Sequence, residues 1–531
     1  MSSVGPFSHV TQNWSVAKPA VRGRYGMAVS QCGEASQVGA AILEEGGTAV
    51  DAAVAMALAL ATCEPWNSGL GGIGFGMFRE TSGKVWSLDF GPVSPRAVLP
   101  QYYRLTGEKS PDIFGWPKVE ADRNVHGSLS FCLPSAVAGL GRLHESFGRL
   151  PWRDVVAPAV ALARRGMAVD WFSTVKISQM AHYLRLYEGT ARIYLPNGLP
   201  PTGAEKGNAK FLSQGGLADT LAQLQDEGWR SFYRGGLAEA LVADIKDVGG
   251  LIDANDLAGV EASLMPAAAI EWEGCRVHLP PVESAALMLR DVLHALRPRA
   301  RRDGEWFAAL ARALLSAIDN RLESNADEER APKRESCTTH LNVTDVTGQT
   351  VALTNSLLGL MGSAVVLPRT GVLMNNGMMW FDPRQGRTNS IASGRKPQSN
   401  MLPVICELAD GGILSLGGSG GRRILSAVAS CLCDIVGFGL TPEQAAHAPR
   451  IDVSAIGEIV ADPRMDDSVV AALSEVANVT VCEHAAAPLN FGCPSILHYG
   501  SDGTTGQPDV MTPWSTAIAA HQPKVSGSAA S

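Results

Sequence analysis

The sequence predicts a layered α/β (α+β) protein, with helices and strands in both halves of the chain. Three observations carry this. From Gly26 onward, Ala-containing helical segments alternate with short strand-like runs. After a charged stretch at residues 321–336 the chain turns strand-rich, with two alternating runs on either side of a Thr347-Gly348 turn. A hydrophobic content of 46% against 18% charged residues, in 531 residues, describes a globular chain rather than a disordered one. Elements of both kinds in both halves fit packed layers.

The elements follow in order. Residues 1–20 look like a loose arm. Residues 35–43 and 49–62 carry helical patterns, the second entered through Gly46-Gly47-Thr48, a plausible cap. A glycine-rich loop at 69–76 precedes a strand over 85–90. Residues 134–165 and 216–247 are mostly helical with Gly and Pro punctuation, and 308–322 forms a helix. The charged linker, 321–337, has almost nothing to bury. Strands are predicted at 340–346, 349–358, 364–374 and 402–416, then helices at 424–436 and 442–448. The polar, small-residue tail, 521–531, is expected to be disordered.

Several function classes are excluded. Net charge is −8 and no Lys/Arg-rich run stands out, so nucleic acid is not an expected partner. The longest helix-like apolar run, 52–61, is far shorter than the ~20 residues of a membrane span. The first ten residues lack a basic region followed by an apolar core, so the protein reads as soluble and cytoplasmic. The ten cysteines contain no Cys-x-x-Cys pair, and no His-Glu-x-x-His occurs. Buried, reduced thiols are the expectation, with no metal and no cofactor.

Three motifs carry chemistry. Gly69-Leu-Gly71-Gly-Ile-Gly74 matches the dinucleotide-binding loop. That function needs a strand before the loop and a helix after it, and here the order is reversed. Gly417-Gly-Ser419-Gly-Gly421 has a strand leading in and a helix leading out, the setting of a nucleophile elbow. Ser419 would then act with Asp434 and His447 or His498. In the preferred alternative, the Gly420 and Gly421 N–H groups at a helix start form an oxyanion hole. The third motif is Cys337-Thr338-Thr339-His340, where the charged linker meets the β-hairpin. A chain cut before Thr338 would expose a hydroxyl nucleophile beside its own α-amino base, whose pKa of roughly 7.7–8.0 suits general-base work. On these residues alone an ordinary strand start is an equal reading.

Ordered motifs separate the two. Gly26-Met-Ala-Val-Ser30, Gly46-Gly-Thr-Ala-Val-Asp-Ala-Ala-Val-Ala55, Glu64-Pro65 and residues 69–75 come first. Leu251-Ile-Asp-Ala-Asn-Asp-Leu257, Thr338-Thr-His340, Asn375-Asn376, Gly418-Ser-Gly-Gly421 and Ala448-Pro-Arg450 follow. Taken together, the chain resembles the γ-glutamyltranspeptidase family of N-terminal-nucleophile hydrolases. The resemblance implies a four-layer αββα sandwich made as a precursor and cut between Cys337 and Thr338. The large subunit would be 21–337 behind its arm, and the small catalytic subunit 338–520 before its tail. Both would come from one precursor, and a dimer of the cleaved pair is an assembly open to it. Thr338 would attack a small-molecule amide, Ser356 would support it where the family has a threonine, and Gly420 and Gly421 would hold the oxyanion.

Departures from the family pattern touch the acyl pocket. The family has Asp-Phe-Arg-Glu where this chain has Asp89-Phe90-Gly91-Pro92, and that Arg grips the substrate α-carboxylate. An acidic residue that holds the α-amino group is replaced by Trp380. An Asn position is Leu358, a Gln/Glu position is Gly377, and paired serines become Ser399-Asn400. Arg422, with Arg423, offers a new carboxylate contact. Residues 381–392 look more like the family's acylase-type branch. The expectation is a self-processing amidohydrolase with an acyl pocket not built for glutamate, favouring hydrolysis over transfer. The alternatives are a serine hydrolase using Ser419 and a non-catalytic relative.

Overall fold

A computed structural model describes residues 14, 16–109, 116–297, 300–323, 336–455 and 457–522. Two seven-stranded sheets form its centre. Numbering only their strands, sheet I holds in spatial order β1 (Val21–Gly23), β13 (Gly503–Gln507), β12 (Cys493–Gly500), β11 (Ile413–Ser419), β10 (Val404–Glu407), β7 (Cys275–Leu279) and β6 (Ala268–Trp272). Sheet II holds β14 (Thr516–Ala519), β2 (Gly26–Ser30), β8 (Ser336–Asp345), β9 (Thr350–Gly359), β3 (Ile73–Arg79), β4 (Val85–Phe90) and β5 (Ser263–Pro266). Neighbouring strands pair antiparallel in both.

Helices cover the two outer faces. On sheet II lie α1 (Gly33–Glu44), α2 (Ala49–Cys63) and the helices Ala136–Phe147, Trp152–Arg165, Leu217–Glu227 and Gly236–Asp247. They share one core with Leu341, Val343, Val351 and Leu353 of β8 and β9. Every residue of α2 is buried. Gly39 of α1 lets the two helices approach closely: a Cβ there would sit 2.4 Å from Met56 Sδ. Thr48 and Asp51 form a reciprocal capping box at the start of α2. On sheet I, helix Ala286–Ala295, α4 (Gly304–Glu323) and α5 (Arg423–Phe438) pack over Val277, Val404, Leu414, Leu416 and Ile496. The layers are therefore αββα, as the family resemblance implies. No described helix is long and apolar enough to cross a membrane. Nine of the ten cysteines are buried.

The sheets meet across a partly polar interior. His340 on β8 bonds Thr354 (Nδ1···Oγ1 2.8 Å) and Asn342 (Nε2···Oδ1 3.2 Å). Asn342 reaches sheet I through the Ser495 carbonyl at 3.0 Å and the Ser415 hydroxyl at 2.6 Å. Burial holds the His340 imidazole down at about 4, so it is neutral near pH 7.

Some sequence expectations are corrected. Residues 364–374 form no strand. The segment instead folds back on itself, with Leu367 N on the Val372 carbonyl (2.9 Å) and Met374 N on the Val365 carbonyl (3.1 Å), while Val366 N goes to Thr190 Oγ1 and the Arg369 and Thr370 N–H groups go to the Asp244 carboxylate. Ala364 (φ +62°) and Gly371 (φ +67°) turn the chain away from extended geometry. Residues 16–20 of the expected loose arm are held, with the Lys18 ammonium on the Asp509 carbonyl (3.2 Å) and the Ser515 hydroxyl (2.6 Å). Residues 1–13 and 15 lie outside the described residues, as do 324–335 of the charged linker and 523–531 of the tail. The linker's first residue, Arg321, belongs to α4.

Gly417 of β11 faces the His340 ring so closely that a Cβ would sit 2.2 Å from its Cε1. Gly417→Ala is expected to lower stability by about 1–3 kcal/mol through overpacking between the sheets. The urea midpoint of the variant against wild type checks this.

Candidate functional site

The site begins with an irregularity in the β8–β9 ladder. Cys337 pairs with Leu358, but Thr339 pairs with Asn355, so β9 carries one extra residue opposite Thr338. The Leu357 N–H leaves the ladder for the Asn67 carbonyl (2.9 Å), and the Leu357 carbonyl accepts from Asn376 N (3.1 Å). Leu358 then takes φ +82°, a conformation costly for a side-chain-bearing residue. Asn376 Oδ1 receives Gly359 N at 2.7 Å, and Asn375 Nδ2 binds the Gly71 carbonyl at 2.8 Å. The paired asparagines thus tie this bulge to the glycine-rich loop. Bulges of this kind re-aim side chains.

Here the side chain concerned is Thr338, 2% exposed. Its Oγ1 donates to the Cys337 carbonyl oxygen at 2.8 Å. Ser356 Oγ donates to the same oxygen at 2.8 Å and lies 3.2 Å from Thr338 Oγ1. Ser356 Oγ in turn accepts from Leu358 N at 2.8 Å, which directs its own proton towards Cys337 and Thr338. Two hydroxyls therefore converge on one carbonyl.

Thr338 and Cys337 open onto a cavity also lined by Gln31, Glu64, Asn67, Lys176 and Ser419. Glu64, the residue that ends α2, accepts from Thr339 Oγ1 at 2.9 Å. Burial raises its carboxyl to about 7, opposed by hydrogen bonds from Thr339 and Asn67 and by the Lys176 charge. Ser419, the last residue of β11, receives the Gln31 side-chain amide. Gly420 (φ +116°) and Gly421 (φ +63°) follow it and lead into α5, so both occupy backbone conformations that favour glycine. The partners read for a Ser419 triad are engaged elsewhere. Asp434 pairs with Arg302 (2.7 Å), and His447 contacts Lys18 N and the Glu443 carbonyl. His498 sits opposite Leu414, well along the ladder from Ser419.

The residues read as an acyl pocket separate into groups. Trp380, Asn400 and Arg422 line a second cavity together with Trp116, Asn389, Gln398 and Arg321. Leu358 belongs to the same cluster as Trp116 and Trp380, which connects this cavity to the Ser356 side of the ladder. Ser399 contributes backbone: its carbonyl accepts from Arg321 Nη2 at 2.9 Å. Gly91 is elsewhere, on a cleft with Asp89 and Lys396, whose ammonium pairs with Asp89 at 2.5 Å. Gly377 packs on Cys132, where a Cβ would meet Sγ at 2.5 Å. Arg423 turns to the Leu489 carbonyl at 2.8 Å.

Arg321 is the residue that sequence reasoning missed most completely. It is held by Gln398 Oε1 at 3.0 Å and by Ser399, and burial with the nearby Arg422 charge lowers its pKa to about 10. Trp116, Glu64, Lys176 and Gln31 were also missed as parts of these cavities. Glu64 alone carried a signal, as half of the Glu64-Pro65 motif.

The family model of gamma-glutamyltranspeptidase matches residues 35–305 and 305–509. The chain belongs to the γ-glutamyltranspeptidase family. It is 28% identical over 484 residues to the glutathione hydrolase proenzyme of Escherichia coli, covering 81% of each chain. It is 30% identical over 492 residues to the acylase ACY 1 proenzyme of a Pseudomonas species, covering 85% of this chain and 86% of that one. The cephalosporin acylase of Bacillus halodurans shares its fold, with a TM-score of 0.81 at 21% identity over 97% of this chain and 99% of that one. Glutathione hydrolases and acylases cleave amide bonds. Membership of the γ-glutamyltranspeptidase family therefore supports an amide-cleaving enzyme of the transpeptidase/acylase type, and the proenzyme relatives fit a precursor.

Proposed function

We propose that the chain is a self-processing amidohydrolase with Thr338 as its nucleophile. The observation that carries this is the convergence of the Thr338 and Ser356 hydroxyls on the Cys337 carbonyl, each at 2.8 Å. Thr338 Oγ1 attacks the Cys337 carbonyl carbon, and Ser356 steadies the oxygen as it gains charge. The Cys337–Thr338 C–N bond breaks, the nitrogen takes the hydroxyl proton, and an ester remains. Water hydrolyses it to a Cys337 carboxylate and a free Thr338, giving subunits 1–337 and 338–531.

Mature Thr338 then attacks a substrate amide with its α-amino group as base, forming an acyl-threonine. The Gly420 and Gly421 N–H groups, at the start of α5, serve the oxyanion. Water releases the acyl group in preference to an amine acceptor. Ser419 is the weaker nucleophile candidate, because its hydroxyl is engaged by Gln31 and its would-be histidines are elsewhere.

The acyl group enters the cavity of Trp116, Trp380, Asn400, Arg321 and Arg422. The described residues lining it include no carboxylate, so nothing among them matches an α-ammonium as in a γ-glutamyl group. Two guanidiniums and two indoles instead suit an acyl chain with an apolar body and an anionic end.

Purified wild-type protein is expected to run as two unequal fragments on a denaturing gel, the smaller beginning at Thr338. Thr338→Ala should abolish both the cut and amide turnover, while Ser419→Ala keeps both. A single uncut chain that turns over amides contradicts the proposal. Ser356→Ala should slow fragment formation roughly 100-fold, and Ser356→Thr should largely retain it, by time-resolved gels. Arg422→Gln should lower kcat/KM about 10- to 100-fold for carboxylate-ended acyl amides and leave apolar acyl amides nearly unchanged. Equal losses on both classes contradict the pocket assignment.

A further inference from the structure

We infer that Glu64 is the positioning residue for the amino group freed at Thr338, holding and orienting it as an ion-pair partner. The inference rests on the reading of Thr338 as a self-released nucleophile. Three observations place Glu64 for this role. It lies with Cys337 and Thr338 on one cavity, at the end of α2. Its Oε2 is already tied to the residue after the nucleophile, through Thr339 Oγ1 at 2.9 Å. The loop that follows it is fixed to the bulge by the Leu357 N–H on the Asn67 carbonyl at 2.9 Å.

The uncut chain leaves this carboxyl poorly provided for. Glu64 is 1% exposed, and a buried carboxylate is costly without a close positive charge. Lys176, on α3 (Trp171–Leu184), is the charged group facing it, and the Cys337 and Cys493 thiols line the same cavity. Lys176 offsets only part of the burial cost, since the carboxyl stays near 7. The Thr338 nitrogen is then a neutral amide and offers no charge. Cleavage converts it to an amine that binds a proton, and the cavity gains a second cation beside Lys176. The two groups then stabilise each other's charged forms: the carboxyl falls below its precursor value and the amine rises above the ordinary 7.7–8.0. An ammonium cannot accept the hydroxyl proton, so the acidic limb of the activity profile follows the amine. Lys176 acts in the opposite sense and keeps that rise limited.

The test is the pH profile of kcat/KM for processed wild-type, Glu64→Gln and Glu64→Asp enzymes, on one acyl amide. Glu64→Gln keeps an acceptor for Thr339 and loses the charge. Its acidic limb should move to lower pH by about one unit, giving roughly ten-fold higher kcat/KM relative to its plateau at a pH on the wild-type limb. Glu64→Asp keeps the charge and should lie between the two. If Glu64→Gln does not yield processed protein, the downward shift of Glu64→Asp alone carries the test. Cleaved enzymes whose limbs all coincide, or a limb that moves upward in Glu64→Gln, overturn the role of Glu64. Wild-type protein that is never cut overturns the reading of Thr338 instead, so the two failures are distinct.

Discussion

Everything proposed for this molecule depends on the one-residue slip between β8 and β9. In a regular ladder, Thr338 would be another alternating strand residue. The extra residue on β9 frees Leu357 N for Asn67, forces Leu358 to φ +82°, and leaves Ser356 beside the Cys337 carbonyl. Its cost is met by the surroundings: α2 behind, the paired asparagines at the side, and Glu64 under Thr339. Strain held by many fixed neighbours is a usual way to keep reacting groups in place.

Charge is distributed around this slip with a purpose that differs by cavity. On the Thr338 side a buried carboxyl and a lysine face a peptide bond. Breaking that bond would add a second cation beside the lysine. On the Trp380 side two arginines share one cavity; burial, and then the Arg422 charge, lowers the Arg321 pKa, and the paired positive charge favours an anion. Gly91 sits on a separate cleft. The positive charge of the Trp380 cavity comes from Arg321 and Arg422, contributed by the end of α4 and the turn before α5.

Local signals made much of the fold legible. Strand 85–90, the Thr48 cap and α2, and the strand–glycine–helix unit around Ser419 each follow from adjacent residues, and the structure places them where the pattern does. The strand expected at 364–374 failed because the segment turns back on itself, Leu367 N bonding the Val372 carbonyl, and because Thr190 and Asp244, distant in sequence, take the Val366, Arg369 and Thr370 N–H groups. Arg321 was invisible for a similar reason. It begins a charged run that reads as linker, yet it lies in the last turn of a helix, with its guanidinium held by Gln398 and the Ser399 carbonyl. Thr338 was legible by its place between a charged stretch and a hairpin, but the convergence of Ser356 on Cys337 required the bulge, which no residue pattern announces.

The most direct measurement is the mass of the small fragment quenched during turnover of a slowly released acyl amide. The account predicts an added acyl mass that maps to the N-terminal peptide beginning at Thr338, and that disappears as the substrate is exhausted. An acyl mass mapping to the peptide that contains Ser419, or steady turnover with no adduct on Thr338 under the same quench, would contradict it.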